Sequence, residues 1–174
     1  GGDATTTTEA ATAPSASAGS KVAKQTAKVS PSAAKAESQA PAGARFGTPV
    51  RDGKLGSSTT GVKTASKVGT DVFGKQAQGQ FLLYSVTVKN IGDKAQLFDA
   101  SSQKLYDTED KEYSADSEAG IYLGDAGNAF LKQINPGNSV KGQIVFDVPK
   151  ETKVAKLELH DSPFSGGVDL VPTK

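Results

Sequence analysis

The residues of this chain that could carry out acid–base chemistry lie near its C-terminus. His160 is the only histidine in the 174 residues, and Asp161 follows it directly. A histidine that is oriented by a neighbouring carboxylate can act as a general base. Ser162 and Ser165 could supply a nucleophile, but no G-x-S-x-G turn singles out either of them. The sequence therefore favours an ordinary surface histidine and no catalytic residue. A hydrolase or metal-dependent enzyme that uses His160 and nearby carboxylates is the alternative.

An acidic run in the middle of the chain is the best candidate for a metal site. Oxygen-rich loops suit calcium, but the segment DTEDKEYSADSE lacks the glycine that an EF-hand loop requires. Charged residues also protect edge strands and solubilise turns, which explains the run without an ion. With one histidine and no cysteine or methionine, ligands for copper or haem are missing. We expect no cofactor and no metal. Calcium remains an alternative at Asp107, Glu109, Asp110, Glu112, Asp116 and Glu118.

Two tyrosines and two glycine-rich pieces complete the candidate binding residues. Tyr113 and Tyr122 lie in the least regular part of the sequence, where exposed rings could contact a partner. The competing interpretation is that they are half-buried sandwich residues with a hydrated hydroxyl. The glycine-rich pieces at 124–128 and 165–169 do not join a strand to a helix as a phosphate loop does, so both are predicted to be turns.

The overall charge and hydropathy limit the classes of partner. Twenty basic and 19 acidic residues give a net charge of +1, so the clustered positive surface of a nucleic-acid-binding protein is not expected. The longest apolar stretches, such as residues 81–86, are too short to cross a bilayer. We expect a monomer whose partner is an unknown protein or cell-envelope component.

The composition changes sharply near residue 45. Residues 1–44 contain 14 Ala, 6 Thr and 6 Ser, and their only branched apolar residues are Val22 and Val29. Such a segment cannot compensate for its ordering entropy, so we predict a disordered linker or tether at 1–44 and one folded domain at 45–174. A transient helix in the Ala/Lys-rich block is the alternative, and Pro31 interrupts it. The start GGDATTTT, without an initiator Met, suggests that a signal peptide or a longer N-terminus has been removed. Such a start is typical of the spacer that follows the lipidated cysteine of a bacterial lipoprotein.

Alternating apolar and polar residues predict the elements that must position these candidates. Three runs show the period of two that is typical of half-buried strands. Their apolar positions are Leu82, Tyr84, Val86 and Val88 in the first, Val140, Ile144, Phe146 and Val148 in the second, and Ala155, Leu157 and Leu159 in the third. Weaker strand candidates lie at 46–51, 62–68, 96–99, 104–106, 129–134 and 168–171.

Turn residues separate these runs at short intervals. Pro136 and Gly137 suit the second and third positions of a type II turn at 135–138, and Asn90 and Gly92 are residue types that tolerate positive φ. Residues 114–128 are predicted to form a short helical turn or an irregular loop. The pattern predicts an all-β protein with an antiparallel immunoglobulin-like β-sandwich of about eight or nine strands, although composition alone also permits a barrel.

Three segments resemble an exported immunoglobulin-like domain family of unknown function. They are FLLYSVTVKNIG, LFDASSQKLYDTEDKEY and LKQINPGNSVKGQIVFDVPKETKVAKLELHD, between about residues 80 and 160. The family occurs in Gram-positive lipoproteins and is related to a secreted immunogenic antigen of mycobacteria. The matching positions are Val88, Asn90, Gly92, Asn135, Pro136, Gly137, Gly142, Val145, Phe146, Val148 and Pro149, whereas Gln103 stands where the family often has Gly. The resemblance implies a sandwich fold and an extracytoplasmic location, and it transfers no catalytic residue.

These observations favour a non-enzymatic, exported binding, adhesion or immunogenic surface module that the N-terminal arm tethers to the cell envelope. Affinity would come from an exposed sheet face, an edge strand or the loop region at 108–130. Besides the enzyme alternative, a structural spacer or virion-decoration domain stays open by analogy with other immunoglobulin-like sandwiches.

Overall fold

The computed structural model describes residues 44–172. The predicted arm at 1–44 lies outside the described residues except for its last position, Ala44, which already belongs to the first strand. None of the helices within 44–172 has the length and apolar character needed to span a membrane.

Nine strands, from two to 17 residues long, make up about half of the described chain. The strands are β1 (Ala44–Arg45), β2 (Val50–Asp52), β3 (Leu55–Gly69), β4 (Gly74–Asn90), β5 (Lys104–Asp107), β6 (Glu112–Ser114), β7 (Ser139–Val148), β8 (Val154–Leu159) and β9 (Val168–Val171). The helices are α1 (Ser117–Ile121) and α2 (Asp125–Asn128), with 3₁₀ turns at Ala100–Ser102 and Ala129–Leu131.

The strands form two sheets. One has the order β1-β9-β8-β5-β6, and the other has the order β2-β3-β4-β7. All pairings are antiparallel except the short parallel contact of β1 with β9. The predicted all-β sandwich of eight or nine strands is confirmed.

The core lies between the sheets, where the predicted alternation places it. Leu82, Tyr84, Val86 and Val88 of β4 are buried together with Phe146 of β7. The Tyr84 ring makes edge-to-face contacts with Phe46 and Phe146, at centroid distances of 5.7 and 5.8 Å. Packed aromatic and aliphatic side chains therefore form this core, since the sequence has no cysteine or tryptophan to supply an antibody-type centre.

The outer face of β4 is also buried at Phe81 and Leu83, which the alternating pattern did not predict. Phe81, Leu83 and Val145 form a second apolar cluster with Ala119 of α1, and Tyr122 packs against it. A strand that is covered on both faces carries apolar residues at successive positions, as FLLY does at 81–84. Residues 115–131 therefore act as a cover for the four-stranded sheet.

Several predicted elements differ from the structure. The expected strands at 96–99 and 129–134 are absent from residues 44–172. Gln96 and Ile134 form only an isolated bridge, and Ala129–Leu131 is a 3₁₀ turn. The side chain of Asn90 holds the chain on both sides of this bridge, because its Nδ2 donates to the carbonyl oxygens of Lys94 and Ile134, each at 2.7 Å.

The predicted turns gave mixed results. Gly137 has φ +81°, and Asn138 N donates to Asn135 O at 3.0 Å, as expected for a type II turn. Asn90 and Gly92 are residue types that tolerate positive φ, but neither residue adopts it here. Asn90 is fully buried instead, and its Oδ1 accepts a hydrogen bond from Gly92 N at 2.9 Å.

Candidate functional site

A groove of about 330 Å³ lies on the surface beside β7, between two irregular segments. Residues 97–101 form one wall, and residues 115–131 form the other; we call this feature the apolar groove. Its lining residues are Leu97, Phe98, Asp99, Ala100, Ser101, Ala115, Asp116, Ser117, Gly120, Ile121, Gly127, Asn128, Phe130, Leu131 and Gln143.

The longer wall is fixed to the four-stranded sheet by its backbone and by its first helix. Asp116 N donates to Val145 O at 2.7 Å, which attaches the segment to β7. The Asp116 carboxylate then caps α1 by accepting from Ala119 N at 2.8 Å. Helices as short as α1 and α2 are unstable alone, so this cap and the buried Ala119 hold the wall in place.

Asp99 organises the shorter wall. Its Oδ1 accepts from Ser101 N at 2.9 Å and Ser101 Oγ at 2.6 Å, and its Oδ2 accepts from Ser102 Oγ at 2.7 Å. Burial opposes ionisation of the carboxyl, but the hydrogen bonds from Ser101 and Ser102 outweigh it and hold the pKa of Asp99 below its ordinary value. Next to it, the buried Phe98 ring contacts Phe130 of the opposite wall, with 4.7 Å between centroids.

Three large apolar side chains around the apolar groove are exposed. Leu97 is 53% exposed, Ile121 59% and Leu131 74%. Leu97 belongs to one wall, and the other two belong to the opposite wall. Grouped apolar exposure beside a concavity is typical of a binding surface.

The walls carry an excess of negative charge. Segments 97–101 and 115–131 contain four carboxylates, at Asp99, Asp116, Glu118 and Asp125, and no lysine or arginine. Among residues 44–172, Lys75 is the cation that pairs with any of them, at 2.9 Å from Asp116 Oδ2 and 2.8 Å from Glu118 Oε2. The hydrogen bonds to Glu118 and then Asp116 raise the pKa of Lys75, so this ammonium group stays charged.

The two tyrosines proposed as partner contacts do not line the groove. Tyr113 donates its hydroxyl proton to Asp107 Oδ2 at 2.9 Å, and its ring packs against the main core. Tyr122 packs its ring against Phe73 at a centroid distance of 5.4 Å and covers the second apolar cluster. Both are partly buried, and a role of either in partner binding stays a prediction.

The structure disperses the six acidic residues considered for calcium. Asp107 is buried and accepts from the backbone N–H groups of Glu109 at 2.8 Å and Lys111 at 3.0 Å. Burial opposes ionisation of Asp107, but these bonds and that from Tyr113 lower its pKa. Asp110 takes φ +62° within the turn between β5 and β6. These contacts explain this part of the acidic run as turn chemistry.

The remaining acidic residues of the run pair with lysines. Glu112 lies 3.1 Å from Lys104 Nζ, and Glu109 pairs with Lys111. Asp116 and Glu118 share Lys75, as described above. Within 44–172, no group of three or more histidine, cysteine, aspartate or glutamate side chains is arranged to hold a metal ion. The calcium alternative therefore gains no geometric support from the described part of the chain.

His160 has a carboxylate partner, but it differs from the predicted one. Its Nε2 lies 2.7 Å from Glu158 Oε1, and its Nδ1 lies 3.1 Å from the carbonyl oxygen of Ser165. The predicted partner Asp161 instead accepts from Lys54 N at 3.1 Å. Both ring nitrogens therefore have an oxygen atom within hydrogen-bond distance, and which of them donates depends on the tautomer.

Ser165 is also poorly placed as a nucleophile. Its Oγ donates to the Asp52 carboxylate and lies 3.4 Å from His160 Nδ1. The adjacent depression, lined by Asp52, Leu159 and Val168 among others, has no room for a water-sized molecule. These hydrogen bonds connect the β2–β3 turn to the β8–β9 loop, which is a structural role.

Sequence patterns missed most of the apolar groove. Residues 97 and 131 fell within predicted strands, where an apolar side chain is expected to enter the core. The usable signal was the irregular region at 108–130, which contains Ile121 and overlaps the longer wall.

Solved structures show the same fold at low sequence identity. The yjhA protein of Bacillus subtilis has a TM-score of 0.56 and 15% identity, with 75% of this chain and 99% of that chain covered. MPT63, a secreted protein of Mycobacterium tuberculosis, has a TM-score of 0.55 and 16% identity, with coverage of 78% and 98%. A conserved hypothetical protein of Bacillus anthracis has a TM-score of 0.52 and 17% identity, with coverage of 72% and 94%.

A search of curated proteins finds no match to this chain. The family comparison is positive and agrees with the resemblance inferred from the three sequence segments. Residues 44–169 match the model described as a domain of unknown function, DUF4352, and the chain therefore belongs to this family.

Proposed function

We propose that this domain is a non-enzymatic, extracytoplasmic binding module that uses the apolar groove to hold a protein or a cell-envelope component. The observation that carries the proposal is the exposure of Leu97, Ile121 and Leu131 around one concave surface. Exposed apolar area costs free energy in water, and a bound partner would recover it.

The attachment of the longer wall to the sheet beneath the groove supports this function. Its longer wall is attached to β7 through Asp116 and rests on the buried side chain of Ala119. A surface whose backbone is already ordered loses little conformational entropy on binding. Covering the three apolar side chains would contribute roughly 1–2 kcal/mol each, because Leu97, Ile121 and Leu131 are 53%, 59% and 74% exposed and are therefore already partly buried. This is consistent with a weak to moderate complex.

The geometry around His160 supports a non-enzymatic role. Hydrolysis at His160 would require room for a substrate or a water molecule beside the imidazole, and the depression that His160 lines admits no water-sized molecule. If His160→Ala nevertheless abolished a measurable turnover, the binding-module proposal would be wrong.

The groove proposal is tested by selecting phage-displayed peptides on the purified protein and measuring the affinity of the enriched peptides. We expect the double variant Leu97→Gln/Leu131→Gln to lose its binding of the enriched peptides. The matched control is Val72→Gln/Phe164→Gln, which removes apolar side chains that are 95% and 97% exposed and lie elsewhere. The control should bind like the wild type. Failure to enrich any peptide, or equal binding by both double variants, contradicts the proposal.

Export and attachment to the envelope are the second part of the proposed function. They are supported by the fold shared with MPT63, which is described as secreted, and by the spacer-like composition of residues 1–44. Fractionation of cells that express the whole gene should recover the protein in the envelope or the medium. Recovery in the cytoplasm would contradict export.

A further inference from the structure

We infer that the apolar groove binds a basic amphipathic peptide segment of another protein, with apolar side chains inside the groove and lysine or arginine side chains at its rim. The inference rests on the proposed binding function and specifies the chemistry of the ligand. It depends on two properties of the same surface, which are its apolar lining and its uncompensated negative charge.

The apolar lining indicates a peptide with spaced apolar side chains. At about 330 Å³, the groove lies at the lower end of the volumes of small-molecule sites, so it accommodates a few side chains. Leu97 stands on one wall, and Ile121 and Leu131 stand on the other. A segment lying between the walls would contact all three through one apolar face, as in helix-in-groove recognition.

Asp99 supplies a negative charge inside the groove. It lines the groove, and its hydrogen-bond donors are the neutral groups of Ser101 and Ser102. These donors lower the pKa of Asp99 without cancelling its charge. A ligand cation close to this carboxylate would be attracted in surroundings that are partly shielded from water.

The longer wall adds to the negative potential. Its three carboxylates are Asp116, Glu118 and Asp125, and within 44–172 Lys75 pairs with the first two. With Asp99 included, the two wall segments hold four carboxylates, of which Asp99 and Asp116 line the groove. Lys75 pairs with two of the four, and Lys132 directly follows the longer wall. The net charge of the whole chain is +1, so this negative surface is a local feature. Complementary charge favours a basic ligand and raises its association rate.

The same charge argues against two other occupants. An acidic peptide would bring like charges to Asp99, which lines the groove, and this is unfavourable. An anionic lipid surface attracts basic segments and would be repelled by these walls.

The test measures fluorescence anisotropy with two labelled peptides of about 14 residues that place leucines at i, i+3, i+4 and i+7. One peptide carries lysines at its polar positions, and the other carries glutamates. We expect micromolar binding of the lysine peptide and at least about tenfold weaker binding of the glutamate peptide. Raising NaCl from about 50 to about 500 mM should weaken the lysine complex, because salt screens the exposed charges.

Two double variants separate charge from apolar contact. The double variant Asp99→Asn/Asp125→Asn should bind the lysine peptide about tenfold more weakly. It should also reduce the difference in affinity between the two peptides. Asn at position 99 can still cap the 3₁₀ turn through its side-chain oxygen. The matched control is Asp93→Asn/Glu151→Gln, which removes two exposed carboxylates outside the walls and should leave both affinities unchanged. Leu97→Gln/Leu131→Gln should abolish binding of the lysine peptide.

Other outcomes overturn the inference in recognisable ways. If both peptides bind equally and both are lost in Leu97→Gln/Leu131→Gln, the groove binds apolar segments without charge preference, and only the inference fails. If the lysine peptide still binds that variant, it binds elsewhere. If neither peptide binds, the inference fails. The phage selection still tests independently whether the groove binds other peptides. Groove-dependent binding to vesicles of phosphatidylcholine and phosphatidylglycerol would identify a membrane surface instead.

Discussion

Gln103 shows how a single buried polar residue connects the core to the groove wall. It is fully buried, and its Nε2 donates to the carbonyl oxygens of Asp99 at 2.7 Å and His160 at 3.1 Å. Its Oε1 accepts from His160 N at 2.7 Å. The side chain therefore joins the end of β8 to the segment that carries Leu97 and Asp99. In an apolar interior, such a satisfied side chain fixes one arrangement of the backbone.

We expect Gln103→Leu to lower the free energy of unfolding by about 3 kcal/mol, because it leaves three backbone groups without their side-chain partner. Guanidinium titration would measure the change. Gln78→Leu is the matched control, since Gln78 is exposed on β4, and it should change stability by less than about 0.5 kcal/mol. Equal effects of the two substitutions would show that the Gln103 hydrogen bonds contribute little.

The sequence predicted residue roles well only where the backbone alone determines them. The turn at Gly137 was predictable because the Pro-Gly order has a local conformational meaning. Asn90 was identified as important, but its role was wrong, because its hydrogen bond to Ile134 crosses 44 positions of sequence. Gln103 was noticed only as a departure from the family pattern. The partners of His160 were also misassigned, since Glu158 lies on the same strand face two positions away.

At the scale of elements, residues 115–131 perform two tasks at once. They cover Phe81, Leu83 and Val145 on the outer face of the sheet, and they form the longer wall of the groove. Phe130, at the end of the segment, is buried in the core between the sheets. The position of the groove wall therefore depends on how closely Phe130 and α2 approach β7.

Gly142 of β7 permits this close approach. A Cβ at this position would lie 2.6 Å from Phe130 Cε2 and 2.9 Å from Ala126 O. We expect Gly142→Ala to destabilise the protein by roughly 1–3 kcal/mol through overpacking. It should also shift the amide NMR signals of residues 126–131 and weaken groove binding. Gly61→Ala is the control, since its Cβ would meet nothing within 4 Å. Unchanged signals at 126–131 would contradict the proposed coupling.

The prediction of elements succeeded for strands in which apolar and polar residues alternate. It failed for segments whose conformation depends on tertiary contacts. The first and second predicted runs correspond to β4 and β7, because burial of one sheet face imposes a period of two. The runs at 96–99 and 129–134 look apolar enough for strands, yet they lie where the chain crosses between the sheets. β6 was missed because its three residues lie inside the acidic run. The groove lies between two such irregular segments, so local patterns could not reveal it.

At the scale of the whole molecule, the first and the last described strands lie side by side. Ala44 pairs with Leu170 in the parallel contact of β1 with β9. The division of the chain into a 1–44 arm and a 45–174 domain stays a prediction, since residues 1–43 lie outside the described part. Charge is distributed unevenly within the described domain, with the acidic walls as one local excess.

Acid stability is a property of the whole molecule that these carboxylates determine. Burial opposes ionisation of Asp99 and Asp107, but their hydrogen bonds lower the pKa of both. Hydrogen bonding from Tyr106, and then from Lys104, lowers the pKa of Glu112. A carboxyl whose pKa is lower in the folded state binds fewer protons there than in the unfolded chain. Its stabilising contribution is therefore complete above the unfolded value, about 4 for Asp, and is lost as pH falls through the folded value.

We therefore expect the free energy of unfolding to fall steadily as pH decreases from about 5 to about 2. Guanidinium titrations at several pH values in this range would measure the slope. Asp99→Asn/Asp107→Asn removes two of the responsible groups, so the double variant should be less stable than the wild type at pH 5 and should lose less stability on acidification. The two stability curves should converge near pH 2. Parallel curves would mean that these two carboxylates do not govern acid unfolding, and that other charges in the sandwich do.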